Sequence, residues 1–193
     1  MRKFILLLFL LIPVMLLAEY NYYLPYVNLF HIPGEVSWRS RMDFQALSDS
    51  TMVTSPYDTL LLSTCQDTSV QPVLWCGTKF TSNHALRISY YTKSVTVNEY
   101  EPTEFSYNLM PHYMLGTEYL IPSLRDTPAS YEFVSVTSTS EDNRIYVDGI
   151  LESIIGLEEC DTFYFRNPVM RITSEEPIAV AHISENVFNH DHY

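Results

Sequence analysis

The chain has 193 residues, of which 11 are Lys or Arg and 23 are Asp or Glu, so its formal net charge is −12. A strongly acidic surface repels phosphates and no basic run offsets it, which argues against nucleic acid as a partner. With 47% apolar and 18% charged residues, the sequence predicts a globular domain with a substantial core, and excludes a disordered acidic tail or a coiled coil.

Residues 1–18 are predicted to be a secretory signal peptide. Arg2 and Lys3 give a basic start, and Phe4 to Ala18 is an uncharged, mainly apolar run interrupted by Pro13. This run is short for a spanning helix, which needs about 20 residues, and it ends on a small residue, as signal peptides do. The alternative is an N-terminal membrane anchor. Cleavage after Ala18 leaves residues 19–193, which contain no second long apolar run, so we expect an exported protein (secreted, cell surface or periplasmic) with no membrane span in the mature chain.

Alternating apolar and polar residues predict strands through most of the mature chain. From Val36 to Ala46 the even positions are apolar except Ser40, and polar or charged residues lie between them. The same alternation recurs in residues 86–91, 94–97 and 105–109. Such a pattern places one set of side chains on each face of a half-buried sheet.

The C-terminal half continues the strand pattern. Residues 131–137 are followed by a polar turn at 138–143 and by Arg144–Val147, which predicts a hairpin. Asp148-Gly149 predicts a tight turn. Further strands are predicted at residues 162–165, 169–173 and 178–183. Pro177 is expected at the first position of the last strand, and the two apolar faces of that strand predict a central position with Val180 in the core.

Helix signals are weak, because only Leu151 to Glu159 is long enough for a turn or two and Gly156 lies within it. About ten short strands without alternating helices predict an all-β fold, an antiparallel β-sandwich with little helix. Residues 19–193 are expected to form one β-sandwich domain. A division into two sheet regions near residues 102–111 is the alternative.

The three cysteines suit an oxidising compartment. Cys65 and Cys76 flank a polar stretch, and a disulfide between them would close a hairpin loop and contribute about 3 kcal/mol. Cys160 is then predicted to be free, with acidic neighbours that disfavour its thiolate. The alternative is three unpaired, partly buried thiols. No Cys-x-x-Cys pair is present, so metal binding by thiols is not indicated.

No motif for a catalytic, cofactor or metal site is present in the sequence. The spacing of the five glycines excludes the phosphate loop, the dinucleotide fingerprint and the nucleophile elbow, and no histidine is followed by glutamate. His182 is interpreted as a structural histidine rather than a general base, and His190-Asp191-His192 as a solvated tail rather than a metal site. The acidic turn Glu141-Asp142-Asn143 lacks the ligand spacing of a calcium loop.

Four segments of the C-terminal half carry a family resemblance. They are Gly116–Pro122, Glu132–Ser138, Asp142–Gly149 and Arg171–Val180. In this order they resemble the extracellular domain named after the N-terminal region of IgGFc-binding protein, which is found in many bacterial surface proteins. The resemblance covers residues 116–184, and the acidic run at residues 158–161 departs from the family pattern. It implies binding or adhesion at a cell surface and carries over no catalytic residues.

Tyrosine is abundant, with 15 copies, and Tyr20, Tyr22, Tyr23 and Tyr26 cluster after the predicted cleavage point. Tyrosines suit protein or sugar recognition when exposed, but most are expected to pack in strands. The sequence thus predicts an exported, non-enzymatic binding or adhesion module of the cell envelope, without cofactors, whose partner is an extracellular protein or glycan. The alternatives are a secreted glycoside hydrolase whose paired carboxylates meet only in the fold, and a structural module of a larger envelope assembly.

Overall fold

The computed structural model describes residues 19–25, 36–70, 76–96, 104–123 and 130–186. Within them the chain forms fourteen β-strands and one 3-10 turn, His112–Met114, and no α-helix. The all-β prediction is confirmed, with more strands than the ten expected. The predicted signal peptide and His190–His192 lie outside the described residues, and no described helix is long and apolar enough to span a membrane.

The first eight strands, which we call the N-terminal part, form two antiparallel four-stranded sheets. The strands are β1 Tyr20–Tyr23, β2 Val36–Ala46, β3 Thr51–Thr54, β4 Thr59–Leu62, β5 Asp67–Val70, β6 Lys79–Ser82, β7 Leu86–Thr96 and β8 Glu104–Leu109. Their orders are β1-β6-β3-β4 and β5-β2-β7-β8. One buried cluster draws side chains from both sheets, so the two sheets pack face to face as a sandwich.

The predicted alternation is confirmed where the structure describes the side chains. Met42, Phe44 and Ala46 are buried, whereas Arg41 is exposed, and β7 shows the same pattern at residues 86–90. Tyr22 also belongs to this core. Its hydroxyl donates to the carbonyl of Leu86 (3.0 Å) and accepts from the Leu86 amide (3.1 Å), and burial raises its pKa.

The last six strands, which we call the C-terminal part, form one sheet that folds over its own core. The strands are β9 Gly116–Pro122, β10 Ser130–Ser138, β11 Asn143–Val147, β12 Ile150–Ile155, β13 Cys160–Tyr164 and β14 Val169–Asn186. Their order is β12-β11-β14-β10-β13, and β9 also pairs with β14. Residues 169–174 of β14 pair with β9 and β11, whereas residues 178–186 pair with β10. A second buried cluster takes side chains from all six strands.

The predicted hairpin between residues 131–137 and 144–147 is wrong, because β10 and β11 lie on opposite sides of β14. The short connection between them crosses the bend of β14. There the Thr139 hydroxyl donates to the Pro177 carbonyl (2.6 Å), and the Asn143 side chain makes two hydrogen bonds of 3.1 Å with the main chain of Glu176. Pro177 therefore lies inside β14, at an irregularity in the pairing with β9, and not at the start of a strand. Such an irregularity tolerates the missing amide proton.

Two further details refine the sequence predictions. The Asp148-Gly149 turn is confirmed, with φ angles of 51° and 84° that match a tight hairpin. The candidate for helix, Leu151 to Glu159, is strand and turn instead: residues 151–155 belong to β12, which pairs with β11, and a turn follows before β13. Residues 178–183 are buried on both faces as expected, although Val180 itself is only partly buried.

The predicted Cys65–Cys76 disulfide is wrong, because the structure joins Cys76 to Cys160 and leaves Cys65 exposed with a free thiol. Cys65 lies in the turn before β5, and Cys76 lies just before β6, in the opposite sheet of the sandwich. The two cysteines therefore do not flank a hairpin. Cys76 instead lies beside the first residue of β13, with a Cα–Cα distance of 6.2 Å to Cys160. Linking residues 84 apart contributes about 4.5 kcal/mol in the chain-entropy model.

The N-terminal and C-terminal parts contact each other beside this disulfide. The carbonyl groups of Leu24 and Pro25 accept hydrogen bonds from the hydroxyls of Thr137 (3.3 Å) and Ser135 (2.5 Å) on β10. Gly77 packs against the main chain of Glu158 so closely that a Cβ atom at residue 77 would overlap the Glu158 carbonyl oxygen. Gly77 also has a φ of +87°, which disfavours any residue with a side chain.

We predict that Gly77→Ala destabilises the protein far more than Gly149→Ala. Both glycines have a φ near +85°, so both substitutions carry a backbone cost of about 1–2 kcal/mol. A Cβ at residue 149 meets no atom within 4 Å, whereas a Cβ at residue 77 meets main chain. We therefore expect Gly77→Ala to cost about 3 kcal/mol or more in urea unfolding. Equal losses for the two variants would contradict the close contact.

Candidate functional site

One cluster in the C-terminal part brings together the residue types of a hydrolytic site. Glu132 on β10 is fully buried, and its two carboxylate oxygens have different partners. Oε1 lies 2.8 Å from Nε2 of His182 on β14, and Oε2 accepts a hydrogen bond of 2.5 Å from the Ser123 hydroxyl after β9. The His182 ring also packs against Phe165, with the centroids 5.3 Å apart.

The order of these three groups differs from that of a nucleophilic triad. A triad needs the histidine between the hydroxyl and the carboxylate, so that the imidazole removes the hydroxyl proton. Here the carboxylate lies between them, and the Ser123 hydroxyl donates to Glu132 rather than to His182. The cluster therefore gives a buried carboxylate its hydrogen-bond partners and fixes the orientation of His182, which is consistent with the structural interpretation of that histidine.

We predict that Glu132→Ala lowers the free energy of unfolding by about 3 kcal/mol, because it leaves a cavity and removes a shared partner of Ser123 and His182. Glu118→Ala is the matched control. It removes an exposed carboxylate whose pair with Arg171 should be worth about 0.5 kcal/mol or less. Chemical unfolding of both variants tests this, and a loss at residue 132 as small as that at residue 118 would show that the carboxylate is not buried.

Two acidic side chains near the β12–β13 turn accept hydrogen bonds from main-chain amides of that turn and stabilise it. Glu159 accepts from the Gly156 amide (2.9 Å), and Glu141 accepts from the Leu157 amide (3.4 Å). Asn143, the third residue of the turn considered for calcium, is buried and bonded to the main chain of Glu176. Within the described ranges, no three His, Cys, Asp or Glu side chains are arranged to hold a metal ion.

The most distinctive exposed surface lies on the C-terminal part. Residues 145, 147, 170 and 172 point into the core, so the alternate positions on the same strands point to solvent. We call this solvent side of β12, β11, residues 169–174 of β14 and β9 the outer face. Its exposed or partly exposed apolar side chains are Leu120, Tyr146, Leu151, Ile154 and Val169.

The charged residues of the outer face are largely paired with each other. Arg171 contacts Glu118 on β9 at 2.8 Å, and Arg144 contacts Glu175, the next residue of β14 beyond the outer face, at 3.2 Å. These cross-strand pairs neutralise four charges on a protein whose net charge is −12. The outer face is thus less acidic and more apolar than the composition of the whole chain suggests.

The residues that the sequence singled out do not form this surface. Tyr22 and Tyr23 of the tyrosine cluster are buried, and Tyr26 lies outside the described residues. Cys65 and Cys76 lie in turns that precede strands of different sheets. The sequence signal that marks the outer face is the aliphatic run of β12, which overlaps the stretch Leu151 to Glu159 whose length suggests a helical turn although Gly156 lies within it.

Comparisons of the chain with protein-family models, with curated proteins and with solved structures found no match. The similarity of residues 116–184 to the IgGFc-binding domain therefore stays a prediction.

Proposed function

We propose that the protein is an exported, non-enzymatic binding module and that the outer face contacts its partner. The observation that carries this proposal is the group of exposed aliphatic side chains on one sheet surface. Leu120 is 70% exposed on β9, and Val169, Leu151 and Ile154 lie on the same face. Exposed apolar patches on soluble domains often mark interaction sites.

The composition of the outer face favours a protein partner over a glycan. Its exposed or partly exposed apolar side chains are aliphatic, apart from one tyrosine, Tyr146. Aliphatic side chains interspersed with charges that are already paired suit protein interfaces, in which unpaired charge is depleted. The resemblance of residues 116–184 to a surface-protein domain supports the same class of function by analogy.

Export is supported by two independent features. Residues 1–18 have the composition of a signal peptide. The Cys76–Cys160 disulfide is compatible with an oxidising compartment. A disulfide that joins the N-terminal and C-terminal parts would keep the outer face presented on a fixed scaffold outside the cell.

The test is an array of extracellular proteins and glycans probed with the purified protein and two matched variants. Leu120→Asp places a charge on the outer face, whereas Leu61→Asp places one on β4, where Leu61 is equally exposed at 72%. We expect Leu120→Asp to weaken binding by about tenfold or more, because it replaces an exposed apolar side chain with a carboxylate that loses its water in the interface. Leu61→Asp should change binding by less than about twofold.

Two results would contradict the proposal. Equal loss of binding in both variants would show that the outer face has no special role. Blank arrays together with turnover of a polysaccharide panel would favour the glycoside hydrolase alternative instead.

A further inference from the structure

Strand β12 is an edge strand with an unusually apolar exposed surface. Among the described residues it pairs with β11 alone. Ile150, Leu151 and Ile154 are 60%, 47% and 55% exposed. Among edge strands of the N-terminal part, β5 reads Asp-Thr-Ser-Val and β4 exposes Leu61 at 72%, whereas β12 exposes three aliphatic side chains along one strand.

Charged side chains are one of the features that protect edge strands from pairing. The charged residue of β12 is Glu152, and Arg166 neutralises it through two contacts of 2.7 and 3.2 Å. The Glu152 side chain is only 22% exposed, although the residue as a whole is exposed. Its main chain therefore faces solvent, where a further strand can reach it.

A bulge in β12 sets which side chains share a face. Leu151 pairs with Tyr146 and Ser153 pairs with Ile145, so Glu152 is an extra residue in the ladder. Because of this insertion, Ile150, Ser153 and Ile155 lie opposite the buried residues of β11, whereas Leu151 and Ile154 both lie on the outer face. Each end of β12 thus carries one apolar side chain on each face, namely Ile150 and Leu151 at one end and Ile155 and Ile154 at the other.

We propose that β12 pairs antiparallel with β12 of a second copy of this chain, with residues 150, 151 and 152 opposite residues 155, 154 and 153 of that copy. In this register Leu151 meets Ile154 on the outer face, and Ile150 meets Ile155 on the inner face. Glu152 meets Ser153. A shift of one residue in one direction places the two Glu152 side chains opposite each other, and a shift in the other direction places Glu152 opposite Ile154. Either shift also pairs side chains of the outer face of one copy with side chains of the inner face of the other.

The pairing would join two outer faces into one continuous surface. A pair of short strands is smaller than a standard protein interface, so we expect a dimer with a dissociation constant in the micromolar range. The net charge of −12 on each copy opposes association at low ionic strength, and salt screens this repulsion. The dimer should therefore strengthen with added salt.

This inference does not depend on the proposed function, because self-association is measured without a partner.

Sedimentation velocity of the purified protein tests the pairing, over a concentration range of about 5 to 500 µM. We expect the sedimentation coefficient to rise from monomer to dimer across this range, more steeply at higher salt. Leu151→Lys and Ile154→Glu should each weaken association by about tenfold or more, because each buries a charge against an aliphatic side chain. Both positions are exposed, so the melting temperatures should stay within a few degrees of the parent.

The two variants also test the register. Mixed in equal amounts, they should associate more tightly than either does alone, because residue 151 of one copy faces residue 154 of the other and the new charges are opposite. Leu120→Lys, on the outer face but away from β12, is the control and should self-associate like the parent. A monomer at all concentrations, or two variants that associate like the parent, would overturn the proposal. If each variant weakens association but the equal mixture does not associate more tightly than either variant alone, the proposed register is wrong.

Discussion

The contact between the main chains of Gly77 and Glu158 is the constraint on which the arrangement of the two parts depends. Backbone meets backbone there, and only a residue without a side chain fits at position 77. One residue before Gly77, Cys76 forms the disulfide to Cys160, and the carbonyl groups of residues 24 and 25 accept the hydroxyls of β10 on the same side. Short-range packing and a covalent bond thus hold two separately cored β-structures together.

This contact also decides which surfaces of the C-terminal part remain exposed. β10 is buried on both faces, because Val134 and Val136 face the second core whereas Ser135 and Thr137 face residues 24 and 25. The outer face of β9, β11 and β12 is not covered by the described residues of the N-terminal part. Leu120, Leu151 and Ile154 consequently remain in solvent, and the proposed function and the proposed dimer both follow from that one asymmetry.

The sequence predicts local structure well and long-range pairing poorly. Alternation in β2 and β7 is correct because each side chain's face depends on its own strand, and the Asp148-Gly149 turn is correct because φ preferences are local. The β10–β11 hairpin and the Cys65–Cys76 disulfide are wrong for one shared reason, namely that closeness along the chain was taken as closeness in space. The outer face was missed because it depends on which strands the N-terminal part covers, which no local pattern records.

Peptide mapping of the purified protein, alkylated before reduction, tests the central claim most directly. The claim is that residues 76–77 and 158–160 join the two parts. The expected result is a single linked pair of peptides containing Cys76 and Cys160, with Cys65 fully alkylated because its thiol is free and exposed. A linkage that includes Cys65, or alkylation of all three cysteines, would contradict this account of how the two parts are joined.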